Sequence, residues 1–218
     1  MSRPIHILVF GRSPIPGRAK TRLIPALGPQ GAADLYALLL EHALTTACAA
    51  NADGVTLWLD AEPLADEVVV LAGRHGIEIA VQVPGDLGLR MHDALSRTLA
   101  SGALPLLMGS DVPALTPATL EQAATLLRGG RDVVLAPALD GGYGLIGVTR
   151  SLPALFEAMP WSTESVLAET RARCTRGGID LVELEAVWDL DEPADLKRLD
   201  EVPELLDWRQ RIRADAAV

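Results

Sequence analysis

The densest run of chemistry-bearing residues lies near the amino terminus: Gly11-Arg12-Ser13-Pro14-Ile15-Pro16-Gly17-Arg18-Ala19-Lys20-Thr21-Arg22-Leu23. Gly11 and Gly17 let backbone approach a ligand closely, and the two prolines stiffen the loop. Arg12, Arg18, Lys20 and Arg22 project positive charge from it. Phosphate oxygens complement such a set, because arginine offers a bidentate fork and lysine a point charge. The first acid in the chain is Asp34, so residues 1–33 are purely cationic within a protein of formal net charge −10. Only Lys20 and Lys197 are lysines, and one of them falls in this loop. A solvated basic loop is the plain alternative to an anion site.

Acids at two distant places suggest a metal. Asp111 stands in Gly109-Ser110-Asp111-Val112-Pro113, and Asp189-Leu190-Asp191 follows nearly eighty residues later. Mg²⁺ (or Mn²⁺) is commonly held by a few carboxylates together with phosphate oxygens and water. The plain readings are a turn acid at Asp111 and a helix cap at Asp191. If Asp111, Asp189 and Asp191 converge, they repel one another and raise each other's pKa. On that reading, Asp111→Asn or Asp191→Asn leaves the metal-free protein at least as stable as before. Two further groups complete the candidates. Gln82-Val83-Pro84-Gly85-Asp86-Leu87-Gly88 could admit a flat base, although spacing alone makes Gly85 a turn residue and Asp86 a cap. Asp140-Gly141-Gly142-Tyr143 and Trp161-Ser162-Thr163 could line an acceptor pocket, with packing at Tyr143 and helix capping at Ser162 as the alternatives.

Other chemistries are poorly supplied. A P-loop needs four residues between its glycines and lysine directly after the second. Here five intervene, Lys20 comes three residues late, and Pro25 and Gly28 interrupt any helix begun there. His6, His42, His75 and His92 lack metal-ligand spacing, and His6 reads as a core residue within the first strand. No Gly-x-Ser-x-Gly elbow or Cys/His pairing offers a nucleophile.

The elements that must position these groups alternate between buried runs and helical periodicity, the pattern of an α/β protein. Strands are expected at 5–10, 55–59, 77–83, 104–108 and 133–136. Helices are expected at 29–50, 63–73 (ended by Gly73), 86–100 and 117–127, the last capped by Thr116. After the Asp140 turn the rhythm changes: an antiparallel strand at 143–148, helices at 153–159 and 164–174, a strand ending near Trp188, and helices from Glu192 and Pro203. The expected architecture is a three-layer α/β/α sandwich on a mostly parallel, mixed central sheet. Ligands of such sheets bind beyond the carboxyl ends of the strands, where the loops above begin.

Composition bounds the function. With 218 residues, 49% hydrophobic and 22% charged, the chain reads as one globular domain, 1–218. The acidic balance argues against nucleic acid or an anionic membrane as partner. Two cysteines without CxxC spacing fit a reducing, cytoplasmic setting. No uninterrupted apolar run approaches the roughly 18 residues of a membrane span.

Taken in order, these motifs resemble the DUF2064 or "selenodomain-associated transferase 1" family, whose members have a Rossmann-like GT-A fold. That family is similar to nucleotide-diphospho-sugar transferases and to 2-phospho-L-lactate and molybdenum cofactor guanylyltransferases. The resemblance runs from Phe10-Gly11-Arg12 to Asp189-Leu190-Asp191. It implies a nucleotide or nucleotide-sugar donor held at Gly11, Arg12, Gly17, Lys20 and Arg22, with Gln82, Gly85, Asp86 and Gly88 against the base. It also implies Mg²⁺ (or Mn²⁺) at Asp111, Asp189 and Asp191, and catalysis by Lys20, Arg22 and Asp111. A small-molecule acceptor would sit near Gly141, Gly142, Tyr143, Trp161, Ser162 and Thr163. Two departures stand out: Arg12 where relatives commonly carry lysine, which keeps the charge, and Leu89 where an acid is common. The implied reaction is nucleotidyl transfer from an NTP to a phosphorylated acceptor, with glycosyl transfer or nucleotide binding without turnover as alternatives.

Overall fold

Along the first strand every side chain but His6 is apolar, so both faces of that strand must be covered. The computed structural model, which describes residues 2–60 and 65–206, shows how. Strand β1 (Ile5–Gly11) sits inside a seven-stranded sheet of β2 (Gly54–Leu59), β3 (Glu78–Val81), β4 (Leu104–Gly109), β5 (Val133–Pro137), β6 (Tyr143–Val148) and β7 (Leu181–Glu183), in the order β3-β2-β1-β4-β6-β5-β7. Only β6 runs against the others. Ile5, Ile7 and Val9 pack beneath α1 (Ile24–Ala49), α2 (Asp66–His75) and α4 (Pro117–Arg128). Leu8 and Phe10 point the other way, into α3 (Leu87–Ala100) and α5 (Val166–Gly177). Period-two alternation thus divides one strand between two cores and yields the three-layer α/β/α sandwich.

The sheet changes direction at β1. From β1 the chain winds outward through β2 to β3, then crosses back by α3 to β4 on β1's other side, where Phe10 registers with Gly109. The loops leaving β1 and β4 diverge at this switch point and open a crevice between them. A third apolar cluster, Leu23, Leu35, Leu39, Trp188, Leu190 and Leu199, fastens the C-terminal segment over α1 and brings Asp189 and Asp191 to the same end.

Local rules account for the element ends. Thr116 Oγ1 accepts from the Thr119 N–H at 3.2 Å, with Pro117 in the first helical position. Asp86 Oδ1 accepts from the Leu89 N–H at 2.8 Å. Helix α1 carries a non-helical kink at Gly28 (φ 70°, ψ 167°), directly before Pro29, which disfavours a helical predecessor.

Several elements differ from expectation. Helix α2 runs on to His75 and is closed by Gly76 in the left-handed conformation (φ 63°), not by Gly73. Its expected start at Pro63 lies outside the described residues. The expected helix at 153–159 is only a 3₁₀ turn, Pro153–Leu155. The carbonyls of Ala154, Glu157 and Ala158 instead accept from the Arg173 guanidinium at 2.9, 2.6 and 3.2 Å, which holds the segment in an irregular path. The helices expected from Glu192 and Pro203 are 3₁₀ as well, with Glu192 rather than Asp191 as the cap. The strand near Trp188 reduces to β7 and a single bridge between Ala138 and Val187. Ser162 does not cap α5, which begins at Val166 after Ser165, and has φ 63° itself.

The stretch Thr21–Ala49 is long and apolar enough to cross a membrane by length and composition, which uninterrupted apolar runs did not reveal. Its residues Leu35, Leu39, Leu40 and Leu44 are buried against the sheet and the C-terminal segment, as in a core helix.

Candidate active site

A cleft of about 490 Å³ opens at the switch point, within the range usual for small-molecule sites. It is lined by Gly11, Arg12, Lys20, Arg22 and Asp111 and by Tyr143, Trp161, Ser162 and Thr163. Asp140, Asp189 and Asp191 lie along it as well. Residues from five separate motifs therefore meet around one cavity.

Lys20 is the centre of the cationic wall. It is 7% exposed, and its backbone takes the left-handed conformation (φ 46°, ψ 48°) that a side-chain-bearing residue adopts rarely. Leu23 N–H donates back to Lys20 O at 2.9 Å and Ala19 N–H to Ile15 O at 3.1 Å, with Ala19 and Leu23 fully buried. This turn drives the ammonium inward, where Nζ donates to Asp111 Oδ2 at 2.8 Å and to Asp191 Oδ1 at 3.3 Å. Burial alone would lower the Lys20 pKa, but the charges and hydrogen bonds of the two acids outweigh it and hold it above its ordinary value. Burial pushes Asp111 the other way, and Lys20 more than reverses that, keeping the carboxyl below its usual range. Arg22 takes the other oxygen of Asp191 at 2.5 Å and remains largely exposed.

The acids thus do not gather as an unneutralised triad. Lys20 stands between Asp111 and Asp191, and no group of three acids or other ligating side chains is placed to hold a metal ion among the described residues. The expectation that removing either charge would cost the metal-free protein nothing is corrected by these contacts, since each removal deprives a buried ammonium of a partner. Asp189 differs from Asp191. It is pushed up to about 6, first by burial and then by the negative charges of Asp140 and Asp111. Neighbouring members of the Asp189-Leu190-Asp191 segment therefore meet opposite environments.

The nucleotide-side residues divide in the same way. Gln82 is buried in the cleft wall, its amide nitrogen donating to Trp58 O at 2.9 Å and Gly11 O at 3.2 Å. Both partners are carbonyls, so the amide orientation is fixed with nitrogen toward the backbone. Gly85, Asp86, Gly88 and Gly17 lie outside the wall. Gly85 (φ 136°) makes the turn, and Asp86 caps α3. A Cβ on Gly88 would come within 2.5 Å of Phe156 O and Trp161 Nε1, so this glycine lets helix and indole pack closely. Gly17 (φ 79°) serves the exposed turn before Lys20.

Also lining the cleft, Tyr143 and Trp161 meet edge to face at 6.5 Å and 83°, and burial pushes the Tyr143 hydroxyl well up. Gly142 N–H donates to Asp140 Oδ1 at 2.9 Å, Thr163 Oγ1 donates to Pro160 O at 2.7 Å, and Gly141 packs against the Glu164 backbone.

Sequence reasoning missed Tyr36. Its hydroxyl, reaching from α1, accepts the Arg12 N–H at 2.9 Å and pairs with Ser110 Oγ at 2.7 Å. Burial, then Asp111, pushes it up to about 12. It joins the loop after β1 to the loop after β4. Gly11 makes room, since a Cβ there would lie 3.0 Å from the hydroxyl. A signal existed: the chain has two tyrosines, and both line the cleft. Asp60 and Arg90 also line the cleft and were not anticipated.

The family model described as "Uncharacterized protein conserved in bacteria (DUF2064)" matches residues 42–163. The chain belongs to this family. No curated protein matches the DUF2064 chain by sequence. Among solved structures, it is similar to a protein from Desulfovibrio desulfuricans G20 provisionally assigned as a nucleotide-diphospho-sugar transferase. The TM-score is 0.85 at 26% identity, over 99% of this chain and 96% of that one. A CMP:2-keto-3-deoxy-manno-octonic acid synthetase complexed with CTP shares the fold at TM-score 0.59 and 12% identity, over 95% of this chain and 99% of that one. So does Rv0371c of Mycobacterium tuberculosis H37Rv in complex with manganese, at TM-score 0.55 and 20% identity, over 91% of this chain and 98% of that one. The fold is that of the nucleotidyl and nucleotide-diphospho-sugar transferases.

Proposed function

We propose that this DUF2064 protein is a divalent-metal-dependent transferase with a nucleotide donor, and that it moves a nucleotidyl group from an NTP to a small phosphorylated acceptor. An acceptor phosphate oxygen would attack the α-phosphorus, the bond to the β-phosphate oxygen would break, and pyrophosphate would leave with that electron pair. The observation that carries this reading is Lys20, a buried ammonium held rigidly in the cleft wall by two carboxylates. Two of its three N–H donors face Asp111 and Asp191, which leaves the third for a phosphate oxygen. Arg22 and Arg12, exposed beside it, would meet the outer phosphates and stabilise charge on the departing pyrophosphate. Tyr143, Trp161 and Thr163 would form the acceptor side.

The donor chemistry fits a hard dication. Asp111 and Asp189 both line the cleft, and the negative charges of Asp111 and Asp140 act on Asp189, a repulsion that a dication would relieve. Mg²⁺ or Mn²⁺ there would neutralise phosphate charge. Asp191, engaged by Lys20 and Arg22, would serve by holding those cations.

Glycosyl transfer from a nucleotide-diphospho-sugar is the second reading, favoured by the likeness to the Desulfovibrio protein over nearly the whole chain. A screen of pyrophosphate release from the four NTPs with phosphorylated acceptors, run beside nucleotide-sugar turnover, separates the two. Product from nucleotide sugars alone would overturn the nucleotidyl reading.

A further inference from the structure

Asp111 and Asp191 lie no farther apart than the 2.8 and 3.3 Å contacts to Lys20 Nζ laid end to end, close enough to share one cation. The protein supplies that cation itself. We propose that Lys20 is a resident counter-ion that keeps this acid pair closed to free divalent metal, so that metal enters the cleft only as a complex with the donor's phosphates. The inference rests on the nucleotide reading above and adds an order of binding to it.

The local structure makes Lys20 hard to displace. Ala19 and Leu23 are both fully buried and anchor the turn on either side, so the ammonium cannot leave by a simple backbone swing. The left-handed backbone at Lys20 is sparsely populated and persists because its surroundings over-determine it. Arg22 holds the second oxygen of Asp191, so both of that residue's oxygens face cations.

Charge gives the same answer. Lys20 and Arg22 balance Asp111 and Asp191. A dication arriving alone would come within a few ångströms of a buried ammonium and repel it, although Asp189, itself in the field of Asp140 and Asp111, would offset part of its charge. At such distances, in a partly dry site, like-charge repulsion is far stronger than in water. A metal–triphosphate complex avoids this, because its net charge is negative and its oxygens accept the hydrogen bonds that Lys20 gives up or has spare. Free metal is thereby excluded and the chelate admitted by the same ammonium.

The test is a Mn²⁺ titration of the nucleotide-free protein, followed by the loss of the free-ion electron paramagnetic resonance signal. Wild type is compared with Lys20→Met and with Lys20→Gln, which keeps a hydrogen-bonding side chain should the methionine variant fold poorly. At least a tenfold gain in Mn²⁺ affinity is expected in the variants, with a larger Mn²⁺-induced rise in melting temperature. Adding Asp111→Asn to either variant should abolish that gain. Wild-type affinity equal to or tighter than that of both variants would overturn the counter-ion role, as would a gain that survives Asp111→Asn. Magnesium–NTP binding to wild type, measured separately, tests the nucleotide reading. Nucleotide binding with no metal gain in the variants removes the gate alone. A metal gain without nucleotide binding keeps the counter-ion role and overturns the proposed order of binding together with the nucleotide reading.

Discussion

Replacing Tyr36 with phenylalanine removes a single oxygen from the junction between the loops that carry Arg12 and Asp111. The ring can stay where it is, because Tyr36 is 3% exposed and packed in the core. What is lost is the acceptor for the Arg12 N–H at 2.9 Å and the partner of Ser110 Oγ at 2.7 Å. Ser110 is itself 3% exposed, so water does not readily replace the missing group. A buried donor left without a partner costs about 1–3 kcal/mol, more than the roughly 1 kcal/mol net worth of an ordinary hydrogen bond. Tyr36→Phe should therefore destabilise the fold by about 1–3 kcal/mol, at about 2–4 °C of melting temperature per kcal/mol for a chain of this size. Urea unfolding gives the free energy, and calorimetry gives the temperature. The loop holding Arg12 should also loosen, so NTP affinity should fall in the same variant. A change within about 0.5 kcal/mol, the ordinary spread of neutral surface substitutions, with unaltered NTP affinity, would refute the claim that this hydroxyl ties the two loops together.

Three further outcomes are expected. Thr116→Ala removes the oxygen that caps α4 and should cost about 1 kcal/mol in urea unfolding. Gly147→Ala would place a Cβ 2.5 Å from Leu106 Cδ2 and 2.7 Å from Leu127 Cδ1, and should destabilise by about 1–3 kcal/mol through overpacking, read as a lowered melting temperature. Asp132 is held below the usual carboxylate range by its hydrogen bond to Arg150 and then by the Asp180 N–H. Such an acid contributes stability above its unfolded pKa and loses it as pH falls through the folded value. The stability advantage of wild type over Asp132→Asn should hold between about pH 6 and 8 and shrink below about pH 4; an advantage unchanged at pH 3 would contradict it.

The layered fold was legible because its determinants are local. Alternation in β1, the Thr116-Pro117 start of α4 and the turn at Asp140-Gly141-Gly142 each act within a few residues. The segment after Pro153 departs from its expected helix for a non-local cause: it follows the Arg173 guanidinium, which sequence spacing cannot place beside it. The site divides similarly. Cations, glycines and acids could be listed by type, but not paired. That Asp191 belongs with Lys20 and Arg22, while Asp189 shares the field of Asp140 and Asp111, depends on how Leu190 packs into the third apolar cluster. Tyr36 escaped notice because a tyrosine on an apolar helix face reads as packing until the strand ends beneath it are located.

The nucleotide reading of the cleft is tested most directly by calorimetric titration of wild type and Lys20→Ala with each of the four NTPs in Mg²⁺. Saturable one-to-one binding of at least one NTP to wild type, weakened about tenfold or more in Lys20→Ala, is the predicted result, since a charge-assisted hydrogen bond is worth about 1.5–3 kcal/mol and about 1.4 kcal/mol is tenfold. Absence of binding for all four, or an affinity that Lys20→Ala leaves unchanged, would contradict the account.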